Sequence, residues 1–160
     1  MKDAIEITTF RPEFEKDFVR LNTDWIKQFF SVEPHDVEAF SDVRKNILAG
    51  NGEIFFAVCG GNVEGCCALV HHGDDNPLGE WELAKMAVDR RARGKGIGNR
   101  LMEALLAEAR RRGIEKIYLE GNTRLEASIA MYRKFGFREV PVVHRSYARV
   151  NIVMEWSARQ

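Results

Sequence analysis

The sequence has few cysteines, no long apolar run and no excess of charge of either sign. Its three cysteines, Cys59, Cys66 and Cys67, sit in apolar stretches and cannot build a disulfide framework, which indicates buried thiols in a reducing compartment. No apolar run approaches the length of a membrane span, and the first residues lack the apolar core of a signal peptide. We therefore expect a cytoplasmic protein with no membrane partner.

The charge balance excludes further classes of partner. Lysines and arginines number 24, as do aspartates and glutamates, so the net charge is zero. A nucleic-acid partner would call for a basic face or tail, and none is expected here. His71 and His72 are adjacent, so their rings face opposite ways on a strand and cannot converge on one metal ion. We expect no metal.

What the sequence contains is ordinary for a globular domain. Apolar residues make up 45% and charged residues 30% of the 160 residues, enough for one domain over 1–160 with a real core. Alternating and helical apolar patterns predict the order βααβββαβαββ. The fold class is therefore α+β, with a mixed central sheet of about seven strands flanked by about four helices. The predicted helices span 12–29, 41–48, 97–112 and 125–135, and the closing strands span 137–143 and 147–156.

The segment from Arg91 to Gly98 is the most informative part of the chain. A predicted strand leads into it, and an amphipathic helix begins inside it. Its glycines let the main chain approach a ligand closely, and the first N–H groups of the helix lack intrahelical partners. A diphosphate satisfies these groups. The spacing does not fit a P-loop, and Gly94-x-Gly96-x-Gly98 departs from the dinucleotide fingerprint, which weakens a nucleotide-binding reading.

Two motifs carry a resemblance to a known family. Arg91-x-x-Gly94-x-Gly96 resembles the acyl-CoA signature of the GCN5-related N-acetyltransferase (GNAT) superfamily, and a helix ending Tyr132-x-x-x-Gly136-Phe137 resembles its second signature. The element order is similar from end to end. The resemblance implies acetyl-CoA as the acetyl donor and an amine as the acceptor, without a metal. It leaves open whether the protein forms a homodimer.

The resemblance also implies which residues hold the cofactor. Met86, Ala87 and Val88 would meet the pantetheine arm as an added strand does, and the N–H of Met86 would polarise the thioester carbonyl. A bulge is expected in the strand at this point. Where the family usually carries Asn and Ala, this chain has Leu125 and Ser128, so Asn122 or Thr123 would replace the Asn. The diphosphate would meet Arg91, Arg93, Gly94, Lys95, Gly96, Ile97, Gly98 and Asn99.

Two side chains are candidates for proton transfer, each with a structural alternative. Glu82 lies at the spacing of the catalytic glutamate of some relatives, so we expect it to deprotonate the amine; alternatively it orders the acceptor pocket or pairs with Lys85. Tyr132 would protonate the leaving thiolate; alternatively it is an amphipathic core tyrosine. The sequence predicts an N-acetyltransferase acting on a small molecule or peptide. The rival is a non-catalytic acyl-CoA sensor.

Overall fold

The computed structural model describes residues 4–159, which form one seven-stranded sheet with helices on both faces. The strands are β1 (Ile5–Thr9), β2 (Glu53–Cys59), β3 (Asn62–His71), β4 (Trp81–Val88), β5 (Lys116–Gly121), β6 (Arg138–Val140) and β7 (Ile152–Ser157). The α-helices within these residues are α1 (Glu15–Phe29), α2 (Pro34–Ser41), α3 (Ile97–Arg111) and α4 (Glu126–Lys134). The predicted element order and the α+β class are confirmed.

The sheet is mixed and runs β1-β2-β3-β4-β5-β7-β6. Strands β1 to β4 form an antiparallel meander, β4 and β5 are parallel, and β7 pairs antiparallel with both β5 and β6. The crossover from β4 to β5 is made by α3, as a parallel connection requires. This arrangement puts the carboxyl end of β4 and the N-terminus of α3 at the same edge of the sheet.

Two apolar clusters cover the two faces of the sheet. The stripe of α3, including Leu101 and Leu105, is fully buried against one face. On the other face Phe18 and Leu21 of α1 pack with Phe56. Helical spacing in α1 and α3 places these side chains on one stripe each, which is why both helices dock along the sheet. The sheet therefore lies between two layers of helices.

Two segments differ from the sequence prediction. The second helix is Pro34–Ser41, because Glu33 and Asp36 form a capping box at its start, and the predicted helix over 41–48 is a π-helical turn, Arg44–Leu48. Residues 141–151 form a loop instead of extending both closing strands. Ala148 N–H and the Arg149 guanidinium are bonded to acidic side chains at the start of α2, so the loop folds over the sheet rather than pairing within it.

Candidate active site

Strands β4 and β5 separate soon after they meet. Their one register pair within residues 4–159 is Glu82 with Tyr118. On the other side of β4 the pairing with β3 shifts between Cys66 and Ala68, so that β4 carries an extra residue at Lys85–Met86. Lys85 accordingly adopts a left-handed backbone, with φ of 57°. The expected bulge is present, and it opens the sheet next to Met86.

The glycine turn after β4 forms a backbone cradle. Gly94 and Gly96 have φ of 84° and 77°, and a Cβ at either position would meet no heavy atom within 4 Å. Gly96 caps α3 without any side-chain hydrogen bond, so the first N–H groups of this 15-residue helix face the open space. The side chains of Arg91, Arg93 and Lys95 add exposed positive charge. These residues fit a diphosphate.

Several residues of the turn make contacts within the protein in addition to the contact with a diphosphate that the sequence predicts for them. The N–H of Arg91 already donates to the Asp89 carboxylate at 2.9 Å and closes a short 3-10 turn. A Cβ at Gly98 would lie 3.2 Å from the Met131 sulfur, so this glycine allows α3 and α4 to approach each other. Asn99 accepts a hydrogen bond from Lys134 of α4 at 3.3 Å. The turn therefore also fixes α4 beside the cradle.

A cavity of about 340 Å³ lies between the separated strands. Helices α1, α2 and α4, the π-helical turn and the loop 141–151 complete its walls. Four of the predicted site residues line it together: Glu82, Met86, Asn122 and Tyr132. Trp25 of α1 and Phe30, the residue just after that helix, also line it. Glu80, the carboxylate two residues before Glu82, instead bonds His71 and lines a different depression.

Tyr132 is placed on α4 with its hydroxyl free of protein hydrogen bonds within residues 4–159. Its ring packs against Phe137 with centroids 6.1 Å apart. Burial, reinforced by Cys67, raises the pKa of Tyr132 to about 12. The phenol therefore keeps its proton at neutral pH, as a proton donor must, although it gives that proton up less readily than a phenol in water.

Glu82 is largely buried, with 14% of its side chain exposed. Its Oε1 lies 2.7 Å from Nε2 of His72, which extends from the end of β3. The predicted alternative, an ion pair between Glu82 and Lys85, is absent from the described residues. Tyr118, its register partner on β5, is the other neighbour of this carboxylate, and Glu82 is among the groups that raise the pKa of the Tyr118 phenol. His72 was not predicted in this role, since the pairing depends on the register of β3 against β4.

Lys85 extends from the bulge into the cavity wall. Its Nζ donates to the Tyr147 hydroxyl at 2.7 Å and lies over the rings of Phe40 and Tyr147, 5.1 and 4.9 Å from their centroids. Burial lowers the pKa of the Lys85 ammonium, while the carboxylates of Glu82 and Asp36 act in the opposite direction. Asp36 is 3.9 Å away, beyond hydrogen-bond reach.

A buried ion pair fixes the loop above Lys85. Arg149 donates to both oxygens of Asp36, at 2.9 and 2.8 Å, and its guanidinium lies 4.0 Å from the Tyr147 ring centroid. Asp36 has no solvent exposure. Burial alone would raise the pKa of Asp36, but the hydrogen bonds from Arg149 and the Glu33 N–H, with the charges of Arg149 and Lys85, lower it.

Glu120 of β5 completes the cavity wall. Its Oε2 accepts a hydrogen bond from the Ser146 N–H at 2.8 Å, whereas Oε1 is shielded from solvent and accepts none within residues 4–159. Beside it, Asn122 donates to the Arg149 carbonyl at 2.7 Å and accepts from the Arg124 N–H at 2.8 Å, so its amide already holds two backbone segments. The cofactor contact assigned to Asn122 stays a prediction.

Sequence reasoning did not find four residues of this site, Asp36, Glu120, Tyr147 and Arg149, and it gave Lys85 only as a possible partner of Glu82. Only the alternation along β5, which puts Tyr118 and Glu120 on one face, gave a signal for any of them. In the same loop, Arg145 is exposed and donates to the Val150 carbonyl at 3.3 Å. Within residues 4–159 no cluster of His, Cys, Asp or Glu is arranged to hold a metal ion. No helix among them combines the length and apolarity needed to cross a membrane.

A bulged strand, a strand pair that separates at the sheet edge and a glycine cradle at an uncapped helix define the class of acyl-CoA-binding α+β folds. The acetyltransferase (GNAT) family model matches residues 18–137. The chain therefore belongs to the GNAT family of acetyltransferases.

Similar proteins agree with this assignment. N-alpha-acetyltransferase RimI of Mycobacterium tuberculosis is 38% identical over 88 residues, covering 55% of this chain and 53% of that protein. The ribosomal protein bS18-alanine N-acetyltransferase of Escherichia coli K12 is 36% identical over 70 residues, covering 44% of this chain and 47% of that protein. The chain thus spans about half the length of the curated relatives it matches.

Solved structures match over nearly the whole chain. A GNAT-family acetyltransferase from Staphylococcus aureus Mu50 superposes with a TM-score of 0.82 at 21% identity, covering 96% of this chain and 99% of that one. The PaiA N-acetyltransferase of Thermoplasma acidophilum, solved with coenzyme A, gives 0.73 at 17% identity, covering 96% and 99%. At these identities the likeness establishes the fold alone.

Proposed function

We propose that this protein transfers an acetyl group from acetyl-CoA to the amine of a small molecule or peptide, by direct attack while both are bound. The observation that supports this most is that Glu82, the bulge residues Lys85 and Met86, and Tyr132 line one cavity between β4 and β5, while the glycine cradle directly follows the end of β4. The cradle residues Arg91 to Asn99 hold the diphosphate, and Met86 to Val88 hold the pantetheine arm. Acetyl-CoA, when bound, supplies an activated thioester.

The chain's own groups provide the rest of the chemistry. The N–H of Met86, turned out of the strand register by the bulge, donates to the carbonyl oxygen as it gains negative charge. Tyr132 holds its proton at Oη and delivers it to the departing sulfur. A coenzyme A thiol resembles a cysteine thiol, with a pKa of about 8.5. The pKa of Tyr132, raised to about 12 by burial, lies above that value, so this transfer is uphill for a thiolate in water.

Deprotonation of the acceptor amine is the step that needs the largest free-energy contribution. A lysine-like amine has a pKa of about 10.4, so its neutral form lies roughly 4.6 kcal/mol uphill at pH 7. Glu82 takes this proton, directly or through water; it lines the cavity, and its Oε1 lies 2.7 Å from Nε2 of His72. His72 fixes the orientation of the carboxylate.

Cofactor binding gives the first test. Acetyl-CoA at about 100 times its dissociation constant should add about 2.7 kcal/mol to the free energy of unfolding, whereas NAD, which lacks the pantetheine arm, should add far less. Gly96→Glu should abolish the shift. Gly61→Glu is the matched control, because Gly61 also has a positive φ, 81°, and open space around it but lies in the β2–β3 turn. Equal stabilisation by NAD would refute the assignment.

Turnover gives the second test. A panel of amines, amino acids and peptides is incubated with acetyl-CoA, and the released thiol is measured. Acetylation of at least one class is expected. Tight acetyl-CoA binding without turnover on any amine would favour the non-catalytic sensor instead.

A further inference from the structure

Two side chains contact the carboxylate of Glu82 from the two strands beside β4. Nε2 of His72, at the end of the β3 side, lies 2.7 Å from its Oε1. Tyr118 of β5 is its register partner across the opening, and the phenol hydroxyl is hydrogen-bonded to the Glu82 side chain. Tyr118 is buried, with 3% of the residue exposed. The carboxylate is therefore held from both sides.

The direction of the hydrogen bond between Tyr118 and Glu82 follows from the other partner of the hydroxyl. Nδ2 of Asn76 donates to the Tyr118 hydroxyl at 2.9 Å and to the Gly79 carbonyl at 2.8 Å. Because a carbonyl only accepts, the Asn76 atom that faces both groups is its NH₂. The Tyr118 oxygen therefore accepts from Asn76, and its single O–H donates to Glu82.

The turn before β4 is shaped around the Tyr118 ring. A Cβ at Gly79 would lie 3.0 Å from Cδ1 of that ring, and Gly79 has φ of 147°, in the range that favours glycine. Burial, together with the Glu82 charge, raises the pKa of the Tyr118 phenol, so its hydroxyl keeps its proton throughout the neutral range. An imidazole, in contrast, can change its charge there. Tyr118 thus supplies a donor that does not titrate.

We infer that Tyr118 is a positioning residue for Glu82, which it holds in one orientation and in the ionised form, and that Asn76 fixes Tyr118 for this purpose. A hydrogen bond to the charged form of a carboxylate favours that form. The contact should therefore set the pH above which Glu82 is free to take a proton. This inference rests on the proposed acetyl transfer and identifies what controls its base.

The proposed reaction leaves Tyr118 unchanged. The amine nitrogen forms the C–N bond, the C–S bond breaks, the amine proton goes to Glu82, and the sulfur takes the proton of Tyr132. Tyr118 keeps its own proton at every step and acts only through Glu82. Removal of its hydroxyl should therefore change the pH dependence of the base rather than abolish the reaction.

The first measurement follows the protonation of Glu82 directly and needs no substrate. Tyr118→Phe keeps the ring beside Gly79 and removes only the hydroxyl. Glutamate labelled with carbon-13 at the side-chain carboxyl is titrated by NMR, and the Glu82 signal is assigned by its loss in Glu82→Gln. The midpoint in Tyr118→Phe should lie about one pH unit above that of wild type, because the ionised carboxylate has lost a donor. An unchanged or lower midpoint would refute the inference.

The second measurement connects the contact to turnover. The acid limb of the kcat/KM profile, followed by thiol release, should move to higher pH by the same amount in Tyr118→Phe. On that limb kcat/KM should be ~10-fold lower than in wild type, with acetyl-CoA affinity unchanged. In the Glu82→Gln background Tyr118→Phe should cause no further loss, since Tyr118 acts through that carboxylate. An additional loss there would refute the positioning role.

Tyr147→Phe is the matched control, because it also removes a hydroxyl from the cavity wall. Tyr147 accepts from Lys85 rather than donating to Glu82, so the NMR midpoint and the acid limb should stay at their wild-type positions. A shift as large as that of Tyr118→Phe would refute a role specific to Tyr118. If the midpoint shifts as expected in Tyr118→Phe but no amine is acetylated, the contact stands and the proposed function fails.

The comparison isolates Tyr118 because every other titratable group around Glu82 is the same in wild type and Tyr118→Phe. These groups come from all the elements that surround the cavity: His72 at the end of β3, Lys85 on β4, Glu120 on β5, His35, Asp36 and Glu38 on α2, Tyr132 on α4, and Tyr147 and Arg149 in loop 141–151. Their effects on Glu82 are common to both proteins and cancel in the difference between the two titrations.

Discussion

At the scale of single residues, Tyr132 is defined by what surrounds its hydroxyl. Burial raises its pKa to about 12, so the hydroxyl stays protonated across the neutral range. No residue between 4 and 159 hydrogen-bonds it, which leaves the proton for a ligand. A hydroxyl without a protein partner is what the proposed acid role requires, and the variant Tyr132→Phe tests that role.

Tyr132→Phe should keep the ring packed on Phe137 and remove only the proton. We expect turnover to fall by ~10²–10⁴, the usual range for loss of a general acid, with acetyl-CoA affinity almost unchanged. Single-turnover kinetics and calorimetric titration measure the two quantities. Unchanged turnover while chemistry limits the rate would return Tyr132 to a structural role.

Glu82→Gln tests the base. If the carboxylate takes the amine proton, kcat/KM at pH 7 should fall by ~10² or more. The loss should shrink as pH rises, because a growing fraction of the amine is already neutral. Glu80→Gln is the matched control: Glu80 also bonds a histidine, His71 at 2.9 Å, but lies outside the cavity. A pH-independent loss confined to KM would show that Glu82 binds the ammonium form instead.

At the scale of structural elements, loop 141–151 is attached to the start of α2 chiefly by the buried Arg149–Asp36 pair, with further bonds from Arg149 and the Ala148 N–H to Glu33. Arg149→Met would leave Asp36 charged, fully buried and without its main partner. Breaking a buried pair from one side costs about 3–5 kcal/mol, so we expect a loss of that size in the free energy of unfolding. Denaturant titration measures it. Arg145→Met, in the same loop but exposed, should change stability by less than about 0.5 kcal/mol.

The double variant Asp36→Leu/Arg149→Met decides whether charge burial causes the loss. Removing both charges should recover most of the stability lost in Arg149→Met, since no unpaired charge remains. No recovery would mean that the loop depends on the shape of these side chains rather than on their pairing. Acetyl-CoA binding should persist in both variants, because the cradle lies outside this contact.

The elements also explain how much the sequence could predict. Apolar periodicity and turn residues predicted the order of all strands and helices, because these signals are local. The cradle could be predicted for the same reason, since its turn and helix are contiguous in sequence. The residues on the acceptor side of the cavity could not be predicted in this way. Lys85 reaches its partners only because a bulge turns it, and Asp36 and Arg149 meet across 113 residues of chain.

At the scale of the whole molecule, acid stability should depend on carboxylates that the fold keeps ionised. Asp36 is the buried one; its pKa is lowered by the Arg149 and Glu33 hydrogen bonds against the opposing effect of burial. The pKa of Asp89 is lowered by the Arg91 N–H, and that of Glu108 by Arg111 and Arg112. A depressed folded-state pKa stabilises the protein at every pH above the unfolded-state value, about 3.9 for aspartate. That stabilisation is lost as pH falls from there through the folded-state pKa.

Comparison of wild type with Asp36→Asn isolates the contribution of Asp36. At pH 7 the variant should be less stable, because Arg149 loses its ionised partner. The difference in unfolding free energy should stay constant down to about pH 4 and then shrink, because the wild-type carboxylate is protonated while the amide does not titrate. Urea titrations between pH 2.5 and 8 measure both curves, and Asp74→Asn, an exposed loop carboxylate, should follow wild type throughout. A difference that stays constant to pH 2.5 would show that Asp36 stabilises the protein by its shape and hydrogen bonds rather than by its charge.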